Sequence, residues 1–296
     1  MKDPDIRLLT TADLDGAFAL STAAGWNQRL ADWRMLLQLA PAGGFAAVAD
    51  DQIIGTAIGI DYGTFGWIAM MLVDPAWRGR GLGAALLEEA MGAVPPQIPI
   101  RLDATPLGRP LYRRYGFEDE AELTRHVAEP LDVARGRPSS SAPRHVRALT
   151  AADLPAVIAR DDRVFGAHRR LLLEWALGGA GQYAHVIDTD AGPQYCFGRT
   201  GRLFDQIGPV VATGDDAARA LVGASLRAAD GRAVAVDVFD RHGGFTGWLQ
   251  SQGFSASRPL FRMRHPARTG AASERRRPER PRETLDERAI LGPEFG

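Results

Sequence analysis

The chain has 296 residues, with 35 Lys and Arg against 36 Asp and Glu, and its formal charge of -1 excludes nucleic-acid binding driven by bulk positive charge. At 45% hydrophobic and 24% charged residues it can build ordinary cores, yet no apolar run is long enough to span a membrane and the opening MKDPDIRLLT lacks the apolar centre of a signal peptide. The single Cys196 excludes an intrachain disulfide framework and no Cys, His and carboxylate cluster has a zinc spacing, so the expectation is a metal-free cytoplasmic protein.

The first informative element is AGWNQRLADWRMLL at 24–37. Trp26 and Trp33 are seven apart, so on one continuous helix they would share a face and could simply be core. Gly25, Asn27 and Gln28 read instead as a loop entering a helix near Asp32. Next comes GWIAMMLV at 66–73, apolar throughout, as a strand covered on both faces would be. Arg78, Gly79, Arg80, Gly81 and Gly83 then form a turn with little side-chain bulk. A helix follows, with Leu82, Leu86 and Ala90 on one face and Leu87 and Met91 beside it. Backbone N–H groups at a helix start attract anions, and glycines let a phosphate come close. The loop is suited to holding a phosphate. Downstream, IRLDA at 100–104 alternates like a strand, and LYRRYGF at 111–117 reads as a short helix closed by Gly116.

Neither G-x-G-x-x-G nor G-x-x-x-x-G-K-[ST] is present, so neither a dinucleotide fold nor a P-loop is indicated. What stands after V-D-P is R-x-x-G-x-G, as Arg78, Gly81 and Gly83. This resembles the acetyl-CoA pyrophosphate loop of the GNAT N-acetyltransferase superfamily. A second motif agrees, since Thr105, Gly108, Leu111, Tyr112, Gly116 and Phe117 occupy the places of N-x-x-A-x-x-L-Y-x-x-x-G-F. Thr stands for Asn and Gly for Ala, which alters the usual cofactor contact, although Thr can still hydrogen-bond. The resemblance covers about residues 5 to 130 and implies a mixed α/β fold.

The chain holds a second copy. IRLLTTADL at 6–14 returns as VRALTAADL at 146–154, YGF at 115–117 returns as QGF at 252–254, and IRLDA finds its counterpart in AVAVDVF at 233–239. LDVARGRPSSSAP at 131–143 reads as a linker. The expected organisation is a catalytic domain at 1–130, that linker, a degenerate copy at 144–265, and a mixed-charge tail at 266–296, mostly flexible, whose more apolar end, AILGPEFG, could dock. The second copy has VATGDDAARALV in place of the glycine loop, with Asp215 and Asp216 where phosphates would sit, and Leu249 opposite Tyr112. FGAHRRLLL from Phe165, IGPVVA from Ile207 and Arg262–Met263 resemble the C-terminal domain of tandem GNAT proteins of the YitH type, and the copy is expected to lack a cofactor site.

The resemblance implies direct acetyl transfer from acetyl-CoA to an amine in a ternary complex. It assigns pairing with the pantetheine arm to Met71, Leu72 and Val73, and pyrophosphate binding to the amides of Gly79 to Gly83, including Leu82, with Arg78 and Arg80 at the rim. Thr105 would touch the cofactor, and Tyr112 would be the general acid towards sulfur or else only pack. Cys196 lies in a strand-like run of the second copy and reads as an inert thiol. The strand GWIAMMLV has no carboxylate, so the nearest base candidate is Asp103, which could instead pair with Arg101 or Arg109. Trp26, Asn27 and Trp33 would line the acceptor site or pack. Asp161, Asp162 and Arg163 read as a solvated helix face rather than the wall of a groove. The expected partner is a small-molecule amine, with no nucleic acid and no membrane, for a monomer or homodimer. The competing readings are a non-catalytic CoA-binding regulator and a protein or peptide amine acetyltransferase.

Overall fold

The computed structural model describes residues 4–130, 146–229, 231–269 and 285–296. The first copy runs β1 (Asp5–Leu8), α1 (Leu14–Ala23), α2 (Leu30–Leu39), β2 (Gly44–Ala49), β3 (Gln52–Asp61), β4 (Gly66–Val73), α3 (Leu82–Gly92), β5 (Ile100–Ala104), α4 (Arg109–Arg114) and β6 (Glu118–Ala128). The second repeats it element for element: β7 (Val146–Ala148), α5 (Leu154–Phe165), α6 (Arg170–Ala180), β8 (His185–Ile187), β9 (Gln194–Arg199), β10 (Asp205–Val211), α7 (Asp215–Arg227), β11 (Val234–Phe239), α8 (Gly243–Ser251) and β12 (Ser255–His265). One strand is left over, β13 (Glu287–Ile290), in the stretch expected to be tail. The linker at 131–143 and the charged run ERRRPERPR lie outside the described residues.

The repeat extends to side chains. In IRLLTTADL, Arg7 binds both oxygens of Asp13 at 2.8 and 2.7 Å, and Asp13 accepts the Thr10 amide at 2.8 Å. In VRALTAADL, Arg147 binds both oxygens of Asp153 at 2.8 and 2.7 Å, and Asp153 accepts the Thr150 amide at 2.8 Å. These carboxylates bridge the end of a strand to the start of a helix, and the arginine beside each holds its pKa well below the ordinary carboxylate range.

The chain divides into two compact units that are not contiguous in sequence. The first takes the residues up to Glu120, those from Arg262, and Pro293–Gly296. The second takes Ala121–Phe261 and the described residues up to Gly292. The boundaries therefore differ from the sequence copies: the first copy gives most of β6 to the second unit, and the second copy gives the last four residues of β12 to the first. In the first unit the sheet runs β1-β2-β3-β4-β5, and the end of β12 lies next to β5. In the second it runs β6-β11-β13-β10-β9-β8-β7, with β6 antiparallel to β11 from Leu123↔Phe239 to Ala128↔Val234. Strand pairing satisfies backbone groups whichever copy supplies the strand, so apolar patterning alone does not select the partner.

Local readings hold where they rest on local chemistry. The buried positions of α3 are Leu82, Leu86, Leu87, Ala90 and Met91, the stripe seen in the sequence. Gly116, at φ 83°, closes α4 in the left-handed conformation, and the Phe117 amide donates to the Tyr112 carbonyl at 3.1 Å. Within 161–163, where a solvated face is expected, Arg163 is exposed and Asp162 partly so, but Asp161 differs. Asp161 is fully buried, accepting from Arg169 at 2.8 and 2.9 Å and from the Tyr195 hydroxyl at 2.5 Å. The sequence pattern suggests a solvated face because it does not show Arg169 and Tyr195 closing over that carboxylate.

Candidate cofactor and acceptor site

In the first unit β4 and β5 are parallel and paired only at Gly66↔Ile100 and Trp67↔Arg101. Beyond Trp67 the two strands part. On its other side β4 is bulged against β3, where the register shifts between Thr56 and Ile58. Met70 sits in the bulge at φ 51°, a conformation costing a non-glycine residue roughly 1–3 kcal/mol. The buried Thr56 hydroxyl holds it by donating to the Met70 carbonyl at 2.7 Å. The edge of β4 that includes Met71, Leu72 and Val73 thus faces a wedge between strands, shaped to accept an extended arm.

The glycine turn lies at the end of that edge. Gly79 (φ 76°) and Gly81 (φ 82°) adopt the left-handed conformation, and nothing lies within 4 Å of where a Cβ would stand on either. Gly81 caps α3. Among the described residues the amides of Gly79, Arg80, Gly81, Leu82 and Gly83 donate to no protein acceptor. Five such donors at a helix start, with the positive end of the dipole behind them, suit a pyrophosphate. The arginines are less free than the sequence suggests. Arg78 donates through Nε to the Val73 carbonyl at 3.0 Å, tying the turn to the strand. Arg80 lies over Trp77 at 4.9 Å and donates to the Ala76 carbonyl at 3.3 Å.

The second motif meets the first at Gly83, where a Cβ would stand 3.7 Å from Val73 Cγ2 and 3.8 Å from Leu111 Cδ2. Thr105, Gly108 and Tyr112 cluster there. The Gly108 amide donates to the Thr105 hydroxyl at 3.3 Å, and a Cβ on Gly108 would lie 3.1 Å from the Tyr112 ring. Glycine at 108 therefore goes with this placement of the tyrosine. Tyr112 is buried, its ring 5.9 Å edge-on to Phe117, and among the described residues its hydroxyl has no hydrogen-bond partner. Burial raises its pKa above the ordinary phenol range, so the hydroxyl stays protonated and can donate.

Asp103 is not available as the base. Its fully buried carboxylate is held by Arg262 through bonds of 2.9 and 2.8 Å, while Arg101 pairs with Glu120 and Arg109 with Asp119. Arg262 also lies over Trp67 at 4.8 Å. The second unit holds the counterpart of this pair, Asp237 with Arg125 at 2.7 and 2.6 Å, although that unit has no glycine loop. A pair kept in both units is architectural. Asp103→Asn should lower the unfolding free energy by about 3–5 kcal/mol, because it removes the negative charge from a buried ion pair with Arg262. A stable variant with kcat alone reduced at least a hundredfold would return Asp103 to the chemistry.

The acceptor candidates separate. Trp33 is fully buried, with Nε1 donating to the buried Ser21 hydroxyl at 3.2 Å, so it packs α2 against α1 and lines nothing. Trp26 and Asn27 lie in the loop before α2, Asn27 at 4% exposure and Trp26 partly exposed. The same loop holds Gln28, whose buried Oε1 has no partner among the described residues, a feature that no sequence motif marks. Two further contributors come from far along the chain. Arg262 is one. The other is the chain end, where the Tyr62 hydroxyl donates to the Phe295 carbonyl at 2.9 Å and Trp67 Nε1 to the Pro293 carbonyl at 3.0 Å. Cys196 is fully buried with its pKa pushed up to about 12 by burial, the state of an inert thiol. Among the described residues no group of His, Cys, Asp and Glu could hold a metal ion, and no helix is long and apolar enough to cross a membrane.

A bulged strand parting from its parallel neighbour, beside a glycine turn with free amides, agrees with comparison to known families. Residues 41–119 match one acetyltransferase (GNAT) domain model and residues 157–275 match another. The chain belongs to the GNAT acetyltransferases, with two domains in tandem. This acyltransferase is 24% identical to holothin acyltransferase of Pseudoalteromonas sp. (strain SANK 73390) over 247 residues, covering 81% of each chain. Among solved structures, a putative acetyltransferase from Pyrococcus horikoshii matches with a TM-score of 0.76 at 20% identity, over 100% of this chain and 97% of that one. A GCN5-related N-acetyltransferase from Sphaerobacter thermophilus matches at 0.65 and 18%, over 90% and 97%. A tandem GNAT protein from the clavulanic acid biosynthesis pathway, without AcCoA, matches at 0.63 and 15%, over 91% and 100%.

Proposed function

We propose that this tandem GNAT protein transfers an acetyl group directly from acetyl-CoA to the amine of a small-molecule acceptor, using the site of its first unit. The carrying observation is the combination of an unpaired β4 edge, five free amides at the start of α3, and a protonated Tyr112 hydroxyl without a partner among the described residues. Bound acetyl-CoA would supply the thioester. Met71 and Leu72 would pair with its extended arm, and the amides of residues 79–83 would hold its pyrophosphate. Tyr112 would give its proton to the sulfur as the amine nitrogen bonds to the acetyl carbon and the C–S bond breaks, and the proton lost by the amine, passed through water, would restore the phenol. Thr105 would contribute a hydroxyl at the same end of the slot, and Trp26 and Asn27 would touch the acceptor. The inert Cys196 is consistent with transfer that has no cysteine intermediate. The second copy, with Asp215 and Asp216 opening α7, is read as a degenerate domain that takes no cofactor.

The engagement of Asp103 by Arg262 bears on the acceptor's class. An alkylamine with pKa about 10.4 is neutral at pH 7 in about one molecule in 2,500, an equivalent of about 4.6 kcal/mol. With Asp103 committed to Arg262, an acceptor of lower pKa, such as an arylamine, fits this site better. The name of the curated relative, holothin acyltransferase, is in keeping with a small-molecule acceptor. Release of CoA should be assayed with arylamine, alkylamine and peptide panels. Turnover confined to free amines of low pKa is the expected result, and turnover on peptides alone would transfer the assignment to a protein or peptide acetyltransferase.

A further inference from the structure

The second unit repeats the wedge of the first. Strands β10 and β11 are parallel and paired only at Asp205↔Val234 and Gln206↔Ala235, the counterparts of Gly66↔Ile100 and Trp67↔Arg101. Counting along the strands, Gly208 then stands at the place of Ala69, Val210 at that of Met71 and Val211 at that of Leu72. The bulge is kept as well, with the register against β9 shifting between Ile207 and Val210. This wedge is filled. Strand β13 lies in it antiparallel to both walls, with Val210↔Ala289 and Val211↔Glu287 on one side and Asp237↔Ile290 and Val238↔Ala289 on the other. It pairs with the positions equivalent to Met71 and Leu72.

Three features fit the wall to this occupant. A Cβ on Gly208 would stand 1.9 Å from the Ile290 carbonyl oxygen, so glycine at this place admits the backbone of β13. Arg288 donates through Nε to the Ala212 carbonyl at 2.9 Å and through Nη1 to Asp215 at 2.9 Å, in the first turn of α7. The acidic residue that would repel a phosphate at this helix start therefore meets a guanidinium. His242 closes the other side, its Nε2 bonded to the Glu287 carbonyl at 3.0 Å and its Nδ1 accepting from Arg288 at 2.7 Å. Burial and the neighbouring arginines bring its pKa down to about 4, which keeps the ring neutral in the form these two bonds need. Ala289, Ile290 and Leu291 are fully buried.

We propose that the wedge of the second unit is a peptide-binding slot whose resident ligand is the chain's own segment Glu287–Ile290, an extended strand of two charged residues followed by two apolar ones, and that this segment closes the slot to a thioester cofactor. The cofactor clause rests on the reading of the β4–β5 wedge as the acetyl-CoA slot; the peptide clause does not.

The test uses the full chain. In wild type, amides of 287–290 should exchange at least about a hundredfold more slowly than in an unfolded chain, as in a core strand. Calorimetry should count one acetyl-CoA per chain, and a labelled peptide of residues 285–292 should not bind. In Arg288→Glu/Ile290→Asp the segment should leave the slot. The labelled wild-type peptide should then bind in trans, with acetyl-CoA still at one per chain. Adding Gly208→Val should abolish the peptide binding. Unprotected amides in wild type, or a folded double variant that still binds one acetyl-CoA but takes no peptide, would overturn the proposal. A second acetyl-CoA bound by the double variant would overturn the closure clause. No acetyl-CoA bound to wild type, with peptide exchange as expected, would count against the functional reading of the first unit and leave the peptide slot supported.

Discussion

Gly81→Asp should weaken acetyl-CoA binding about a hundredfold or more while leaving the protein folded. The carboxylate would stand at the start of α3, beside the free amides of residues 79–83. Two like charges about 5 Å apart at an effective dielectric of about 20 repel by about 3 kcal/mol, and each 1.4 kcal/mol is about a factor of ten in affinity. Folding should survive, because Asp is a favoured residue at a helix start and tolerates the left-handed conformation of Gly81 (φ 82°) better than most. Gly81→Asn separates charge from shape, since it has nearly the same size and backbone tolerance without the charge. Calorimetry should find Asn much closer to wild type than Asp. An equal loss in both would assign the effect to shape, and unchanged affinity in the Asp variant would remove the pyrophosphate from this turn.

Tyr112→Phe should lower kcat by at least about tenfold, towards the ~10²–10⁴-fold that acid–base groups commonly contribute. The ring packing on Phe117 at 5.9 Å is kept, so KM for acetyl-CoA should hardly change. Stability should be unchanged or improved, because among the described residues the deleted hydroxyl has no partner to lose. A structural role would show the opposite pattern, with stability falling and kcat preserved. The pH profile is a second readout. Burial raises the Tyr112 pKa, so the donating form persists at every pH below the ordinary phenol value of about 10. The wild-type rate should therefore show no basic limb from Tyr112 below that pH. Because a thiol near 8.5 is a stronger acid than a phenol near 10, and burial weakens the Tyr112 phenol further, complete transfer of the phenolic proton to sulfur is uphill by at least about 2 kcal/mol. In the proposed reaction Tyr112 would therefore act best as a hydrogen-bond donor whose proton moves to sulfur while the proton given up by the amine restores the phenol through water.

Much of the site is legible in the sequence, for a shared reason. The glycine turn, the stripe on α3, the Gly116 cap and the paired Arg7–Asp13 and Arg147–Asp153 motifs all form between residues a few positions apart. Spacing and residue type are then enough, because the chain is too short between the partners to arrange them otherwise. The duplication is readable on the same grounds. Gly25 and the polar neighbours of Trp26 and Asn27 point to a loop, and the loop is there.

Trp33 shows where such reading stops. Its seven-residue spacing from Trp26 is compatible with core or wall, and only the presence of Ser21 beneath its indole N–H decides for core. Asp103 is a stronger case. Arg101 and Arg109 are near it in sequence, yet it pairs with Arg262, 159 residues away, because most of β6 has gone to the other unit and the end of β12 lies by β5 instead. Any apolar strand of suitable length can satisfy a neighbour's backbone groups, so local pattern says that a strand will pair but not with which. The same holds for Glu287–Ile290: four residues after a charged run carry no mark of a central strand until the β10–β11 wedge supplies two edges for them. Residue type and spacing are sufficient to mark the first unit's glycine turn and its tyrosine as site candidates. Which strands close each sheet, which carboxylate is free, and which wedge stays open depend on long-range folding, through backbone hydrogen bonds and buried ion pairs whose partners are distant along the chain.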